Sequence, residues 1–552
     1  MVTGGGGGIG RAAAFELARE GAVVVAMDPG VGVQGEPLGE QTASETAKQI
    51  VAAGGTARAS TISVTDGEEV RSLFQEVVGE FGSLDIVINA AGILRFAHFL
   101  EASEDDWRAV LDVHLGGYLN VCSAALPLMI EAGYGRLVGV TSGVGLARTS
   151  VAGPAYGCAK RAIAALTWQL GPLLPEGVTA NALSPIAASR MVQEAMLAAG
   201  TGPNGLDLSA MPQPDDMGPA AAYLASDAIE WCRGEVLFSA GSEISVIAPP
   251  RLMEGIRTRD VDDFASALGT IVPVVLNPVE AQQNTTGGSN PRFGAIFDEA
   301  GRATDTPDTT DLDRQSCVIV SDDPDLARAL GGAVTSRGMR PVGIGPWRPF
   351  DELAAQIPSG FAAIADTLTR ASQAYGPIAA VVVVLGSQAA SSRPGEPAWQ
   401  ELLEAHVDTI PHVIAHAGWL RAATDHASRR SQPIRITHLT DASSASGRTG
   451  AQAVAQMARS ANDTPLPVQL DAFAISIETA ERGDDQPLAD LVARLVRADD
   501  TRAMRGAELV VRPNWIGLRS HPSPIVTVSF GGRAIPAWVD DALKEVIAPH
   551  KA

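Results

Sequence analysis

Residues 3–28 read TGGGGGIGRAAAFELAREGAVVVAMD, and how this stretch folds decides the architecture around it. Thr3, Gly4, Gly8, Ile9 and Gly10 fall in the pattern TGxxxGIG, which runs directly into an amphipathic segment, so the glycines stand at the start of a helix. Glycine permits a tight turn and close approach of a ligand, and the unpaired amides of a helix start favour an anion such as a diphosphate. The β-branched run AVVVAMD predicts a strand ending at Asp28, eighteen residues after Gly10. An acid there accepts hydrogen bonds from an adenosine ribose and repels a 2′-phosphate, which predicts NAD over NADP. A turn-forming aspartate ahead of Pro29 and Gly30 is the rival reading of the same residue.

The pattern continues outward. AVVVAMD, DIVINAAG, RLVGVTS and GVTANALSP alternate with helix-like stretches, and such alternation predicts an α/β fold with a parallel sheet covered by helices on both faces. Ser103 followed by Asp106 looks like a capping box that opens the helix carrying WRAVLDVHLGG. Between roughly 277 and 315 the chain turns to Asn, Thr, Gly, Pro and Asp, which is linker chemistry. Beyond it the first pattern repeats: Trp107 and His114 recur at the same spacing as Trp399 and His406, GSLDIVINAAG as GPIAAVVVVLG, and RLVGVTS as RITHLTD. The sequence therefore predicts two tandem doubly wound α/β domains: a cofactor-binding domain over 1–250, an extension and linker over 251–314, and a second domain over 315–552.

A chain of 552 residues exceeds what one hydrophobic core usually holds. Cys122, Cys158, Cys232 and Cys317 form no CxxC pair, so no disulfide framework or thiolate metal site is expected and a reducing cytoplasm fits. A net charge of −22 argues against nucleic acid or an anionic membrane as partner, and no apolar run is expected to span a bilayer.

PAYGCAKRA places Tyr156 and Lys160 four apart on one helix face. A phenol works as acid and base near neutral pH when an adjacent ammonium stabilises its anion. With 5 tyrosines and four lysines in the chain, chance gives roughly 0.04 such pairs. Ser142, in VGVTSGVG, lies where a strand ends, and binding clefts of open α/β sheets form at strand carboxyl ends.

TGxxxGIG, the Asn89-Ala90-Ala91-Gly92 run, Ser142 and Tyr156-x-x-x-Lys160 together resemble the short-chain dehydrogenase/reductase family over roughly residues 1–250. The resemblance implies a Rossmann-like fold in which Tyr156 exchanges a proton with a substrate oxygen, Lys160 lowers the tyrosine pKa and binds the nicotinamide ribose, and Ser142 orients the carbonyl. It implies further that Asn89 steadies the sheet end, that Ser63 and Val64 contact adenine, and that Pro185 borders the cofactor. Two departures, His114 in DVHLGG and Ile186 in SPIAASRM, are similar to the branch holding the (3R)-hydroxyacyl-CoA dehydrogenase units of multifunctional enzyme type 2, as is the long loop DPGVGVQGEPLGEQ. His114 stands where the family usually has a relay asparagine. If that residue acts through its main-chain carbonyl, histidine serves equally; if through its side chain, the relay is in doubt.

The second half lacks this equipment. SDDPD puts Asp322, Asp323 and Asp325 where a diphosphate would lie, Asp441 takes the serine position, Val383 the asparagine position, and no lysine occurs between Lys160 and Lys544. It is expected to be a degenerate domain, and because family members commonly dimerise through the helices carrying His114 and Tyr156, it is expected to act as an internal pseudo-dimer partner, with a further homodimer left open. His412 and His416, four apart, are expected to form an ordinary helix face. The stretch after Met191, VQEAMLAAG with Met196 and then Met211 and Met217, suggests an apolar, adaptable pocket or, equally, methionines of a helix core.

The expected activity is NAD-dependent interconversion of a secondary alcohol and a ketone, with a 3-hydroxyacyl-CoA as first substrate, a hydroxysteroid as rival, and a non-enzymatic NAD-binding subunit as the alternative of another class. In this fold the strand before the glycine loop lies at the sheet centre, yet only Met1 and Val2 precede Thr3. The natural chain is therefore expected to begin several residues upstream.

Overall fold

The computed structural model describes residues 1–39, 41–146, 153–198, 208, 211–257, 315–346, 351–354, 356–386, 395–479, 484–497, 499–513 and 515–547. The linker expected between 277 and 315 lies outside them, apart from its last residue.

Among the described residues two nine-stranded sheets organise the chain. In chain order the first half supplies β1 (Val2–Thr3), β2 (Val23–Met27), β3 (Thr56–Ser60), β4 (Ile86–Asn89), β5 (Gly135–Val140), β6 (Val178–Pro185), β7 (Val236–Ser239), β8 (Glu243–Ala248) and β9 (Leu252–Arg257). The second half supplies β10 (Ser316–Ser321), β11 (Arg340–Ile344), β12 (Asp351–Ala354), β13 (Ile378–Leu385), β14 (Ile434–Asp441), β15 (Leu470–Ile477), β16 (Glu508–Arg512), β17 (Trp515–Arg519) and β18 (Ser523–Ser529). The sheet orders are β18-β8-β7-β6-β5-β4-β1-β2-β3 and β12-β11-β10-β13-β14-β15-β16-β17-β9. From β1 to β8 the first matches β10 to β17 position for position, the topology expected of a duplicated α/β unit.

The ninth position of each sheet is exchanged. β9, within the stretch expected to be extension and linker, pairs antiparallel with β17, Gly255 opposite Gly517. β18, from the far end of the chain, pairs antiparallel with β8, Ser529 opposite Glu243. The helix Ala537–Ile547 follows β18 onto the first sheet, where Val539, Leu543 and Ile547 are buried with Val2, Leu17, Val24 and Leu224. Asp540 of that helix accepts hydrogen bonds from Tyr223 Oη at 2.8 Å and Trp231 Nε1 at 2.9 Å. The strands thus do not divide at residues 250 and 315: each half is completed by chain from the other.

Between the sheets, the helix Pro154–Leu170 packs against Ala445–Asp463, and Glu104–Leu111 against Thr409–Arg430. Cys158, Ala162 and Ile163 share one apolar core with Val413, Leu420, Val454 and Met457. Small side chains let the helices approach closely, and a buried polar chain links them: Arg161 Nε donates to Gln452 Oε1 at 2.8 Å, and Gln452 Nε2 to Glu508 at 2.7 Å. An unpaired charge at that depth would cost several kcal/mol.

The capping box is present, with Asp106 N donating to Ser103 Oγ at 3.1 Å and Ser103 N to Asp106 Oδ2 at 2.9 Å. The helix it opens continues through a π-helical turn, Asp112–Gly116, into Gly117–Ala132. This run of 29 residues, mean hydropathy 1.4 in its most apolar window, reaches bilayer length, against the expectation from sequence. Its apolar character serves packing here, since Trp107, Leu111, Leu115, Tyr118, Val121 and Leu126 are all core residues.

β1 is two residues long at the centre of its sheet and pairs on both sides, Val2 with Ala26 and Ile88. The Met1 amine donates to Ile86 O at 2.9 Å, and burial pushes its pKa down to about 5.

Candidate active site

A cleft of about 1030 Å³ opens at the carboxyl ends of β1, β2, β4, β5 and β6. Its cofactor end is the glycine loop. Gly4 has φ +64°, and a Cβ there would lie 2.8 Å from Ala91 N; a Cβ on Gly10 would lie 2.3 Å from Gly4 O. Side chains at either position would fill the space the backbone turn needs. The helix Gly8–Arg19 starts from Gly7 with no side-chain cap and no acid in its first turn. Its amides are therefore left for an anion.

Asp28 lines the cleft beside this loop. Its Oδ2 accepts from Gly6 N at 3.1 Å, and its Oδ1 from Gly30 N at 2.8 Å and Thr42 Oγ1 at 3.1 Å. Both readings of the residue meet in one geometry, since the carboxylate shapes the turn to Gly30 and also faces the cleft. Thr3 and Asn89 are buried beneath the loop rather than in the cleft wall, with Thr3 Oγ1 donating to Asn89 Oδ1 at 2.7 Å and accepting from Ala91 N at 3.1 Å. Gly8, Ile9, Ser63, Val64, Ala90, Ala91, Gly92 and Pro185 all line the cleft. Val64 is fixed by Asn120 Nδ2, which donates to its carbonyl at 2.9 Å.

At the other end stand Ser142, Tyr156 and Lys160. Ser142 follows β5, and its Oγ accepts from Val144 N at 3.2 Å and hydrogen-bonds the Tyr156 phenol. Tyr156 and Lys160 project from one face of the helix Pro154–Leu170, with Lys160 Nζ 5.5 Å from the phenol ring centroid and donating to Val140 O at 2.7 Å. Burial pushes the lysine down to about 7. Burial also raises the tyrosine, and the Ser142 hydrogen bond opposes it. The expected lowering of the phenol by Lys160 is thus not found in the protein alone: a lysine desolvated this far is largely neutral above pH 7 and stabilises a phenolate little.

His114 lies in the π-helical turn, 1% exposed, its ring edge-on to Tyr156 with centroids 5.2 Å apart. Its Nε2 is 2.7 Å from Ile93 O, and burial holds the imidazole well below its ordinary pKa. The side chain is neutral and anchored to the backbone beside Gly92. π-Helical turns interrupt the regular ladder and occur often at functional sites.

Sequence reasoning passed over three charged residues that line the cleft, Arg95, Asp112 and Arg190. Arg190 lay in the quoted SPIAASRM, but which strand end it would face is decided by the sheet order. Met211 lines the cleft, as does Met191, in keeping with the pocket reading, whereas Met217 is fully buried, in keeping with the core reading; the side chain of Met196 lies outside the described residues.

In the second half, Asp323 caps the helix Pro324–Ser336, accepting from Asp325 N and Leu326 N at 3.0 Å, so a carboxylate already occupies that helix start. Val383 stands beside Val320 as Asn89 stands beside Thr3. Asp441 ends β14 and accepts from Ser443 N at 2.9 Å. The His412 and His416 rings meet edge-on with centroids 4.6 Å apart, and His416 Nδ1 lies 2.9 Å from His438 Nδ1 of β14, a contact that helix spacing alone does not reveal.

Residues 1–198 match the short chain dehydrogenase family. The chain is 38% identical over 200 residues to peroxisomal multifunctional enzyme A of Dictyostelium discoideum, covering 36% of this chain and 44% of that one. It is 38% identical over 235 residues to a short-chain type dehydrogenase/reductase of Mycobacterium tuberculosis, covering 41% of this chain and 77% of the other. Over 253 residues it is 30% identical to a 3-oxoacyl-[acyl-carrier-protein] reductase of Staphylococcus aureus, covering 44% of this chain and 96% of the other. It thus spans less than half the length of the Dictyostelium relative.

Proposed function

Since this chain belongs to the short chain dehydrogenase family, we propose that it is an NAD-dependent oxidoreductase interconverting a secondary alcohol and a ketone, with a 3-hydroxyacyl-CoA and its 3-ketoacyl-CoA as the substrate pair. The observation that carries this reading is the convergence of Ser142, Tyr156 and Lys160 at one end of a cleft whose other end is the glycine loop with Asp28. A nicotinamide dinucleotide bound there supplies the hydride acceptor or donor. The residues fit it: Gly4 and Gly10 let the backbone turn tightly, a Cβ on Gly8 would meet no protein atom within 4 Å, and the helix start there carries no side-chain cap. Asp28, an acid with no lysine beside it in the sequence, supports NAD over NADP.

Within the cleft Tyr156 is the proton carrier. With its phenol protonated at neutral pH, Tyr156 Oη gives its proton to a substrate carbonyl oxygen, and the same group takes it back in the opposite direction. Ser142, already bonded to the phenol, holds the substrate oxygen in line and stabilises charge that develops there. Lys160, near its pKa at neutral pH, returns a proton toward the phenol and binds ribose hydroxyls. His114 keeps the tyrosine ring in place from its edge. The 3-oxoacyl name of one relative and the multifunctional-enzyme name of another support an acyl thioester over other ketones.

The second half serves, in this reading, as a built-in partner without chemistry. The matched strand order, the Asp323 cap and the apolar pair Val320 and Val383 support that role, as does the packing of its helices on those carrying His114 and Tyr156. The test is NAD reduction with panels of 3-hydroxyacyl-CoA and steroid alcohols. Turnover of the thioesters is the expected result. Turnover of steroids alone would overturn the substrate class, and cofactor binding without turnover would overturn the enzyme reading.

A further inference from the structure

Arg190 begins the helix Arg190–Ala198 and reaches across the cleft mouth to the glycine loop, where a Cβ on Gly7 would lie 2.7 Å from its Nη2 and 3.7 Å from Cζ. Gly7 is the N-cap of Gly8–Arg19, so the guanidinium rests against the positive end of a helix. Among the described residues Arg190 forms no hydrogen bond or ion pair, although the chain carries a net charge of −22. The other cations of the cleft wall are engaged, Arg95 with Asp106 at 3.8 Å and Lys160 with Val140 O. Asp28 accepts from Gly6 N just ahead of this helix but forms no ion pair with Arg190, and a cation held against a positive helix end is repulsive unless an anion bridges the two.

We propose that Arg190 is a binding residue for the diphosphate of the dinucleotide, clamping it against the amides of Gly8–Arg19. The inference rests on the proposed cofactor. A guanidinium matches two phosphate oxygens with parallel N–H donors, which a lone helix start does not. Met191, Val192 and Ala195, on the same helix, line the cleft, so a bound diphosphate fastens the wall that faces the substrate. Coenzyme A also carries a diphosphate, but Asp28 beside the same loop favours the dinucleotide as its source.

The test compares wild type with Arg190→Gln in calorimetric titrations of NADH, ADP-ribose, coenzyme A and adenosine. An exposed side chain is altered, so an unchanged melting temperature is expected. The variant should lose ~10- to 100-fold in affinity for NADH and ADP-ribose, the worth of a charge-assisted contact, and none for adenosine. Hydrogen exchange over the helix Arg190–Ala198 should slow on adding ADP-ribose to wild type and stay unchanged in the variant. Equal NADH affinities in the two proteins would overturn the clamp alone, as would a loss confined to coenzyme A. A wild type that binds no NADH would overturn both the clamp and the cofactor on which it rests.

Discussion

Leu543→Ala alters a residue some three hundred positions beyond the first-half strands, yet it should destabilise the cofactor-binding sheet. Leu543 is 0% exposed in the helix Ala537–Ile547, packed among Val2, Leu17, Leu224 and Ile244. Truncating a fully buried leucine removes its transfer energy and leaves a cavity, together about 2–5 kcal/mol. Domains are stable by only about 5–15 kcal/mol, so the change should remove a large share of the total. Urea unfolding followed by Trp231 fluorescence suits the measurement, because the indole donates to Asp540 of the same helix and reports the docked state. NADH affinity, followed in parallel, should be lost in the same transition. The control is Glu545→Ala, an exposed position on the same helix, expected within about 0.5 kcal/mol of wild type. A Leu543→Ala cost below about 1 kcal/mol, or NADH binding that outlasts the Trp231 transition, would refute the claim that the C-terminal strand and helix complete the first sheet.

Gly10→Ala forces a methyl to within 2.3 Å of Gly4 O and should cost about 1–3 kcal/mol of overpacking, seen as a roughly ten- to hundredfold weaker NADH titration. Asp28→Asn removes the charge facing the cleft while keeping an oxygen for Gly30, and the preference for NADH over NADPH should fall on the order of tenfold in competition binding. Burial holds His406 at about 4 and His438 at about 3, below the ordinary 6.5. Folded pKa values below the unfolded ones give stability that is present above pH 6.5 and lost as pH falls toward about 4, roughly 3 kcal/mol for His406. Urea midpoints across that window should fall with acid, and His406→Gln should flatten the slope.

Features that act through near neighbours were legible in the sequence. The glycine loop, the acid at Asp28, the Ser103 capping box and the Tyr156 and Lys160 pair each depend on spacing within one turn, strand or helix. The parallel, helix-covered sheet was legible too, because alternating elements constrain it, whereas the order of its strands came only from the structure. The exchange of β9 and β18 was not legible. Edge strands pair through backbone groups that leave no residue signature, and Ser523 meets Ala248 across about half of the chain. Arg190 was hidden for a related reason, since only the three-dimensional sheet brings its helix over Gly7. The raised Tyr156 pKa could not be read from i,i+4 spacing, which places an ammonium nearby without showing that burial has already weakened its charge. Bilayer-length apolarity over Glu104–Ala132 likewise marks a helix buried between two halves of one chain.

The central claim is that Tyr156 carries the proton in a nicotinamide-dependent oxidation and reduction at this cleft. Its most direct measurement is nicotinamide absorbance during turnover of a 3-ketoacyl-CoA by wild type and Tyr156→Phe, with NADH affinity determined for both. The account predicts a fall in kcat of about 10²- to 10⁴-fold with NADH affinity unchanged. A variant that turns over within about tenfold of wild type would contradict it.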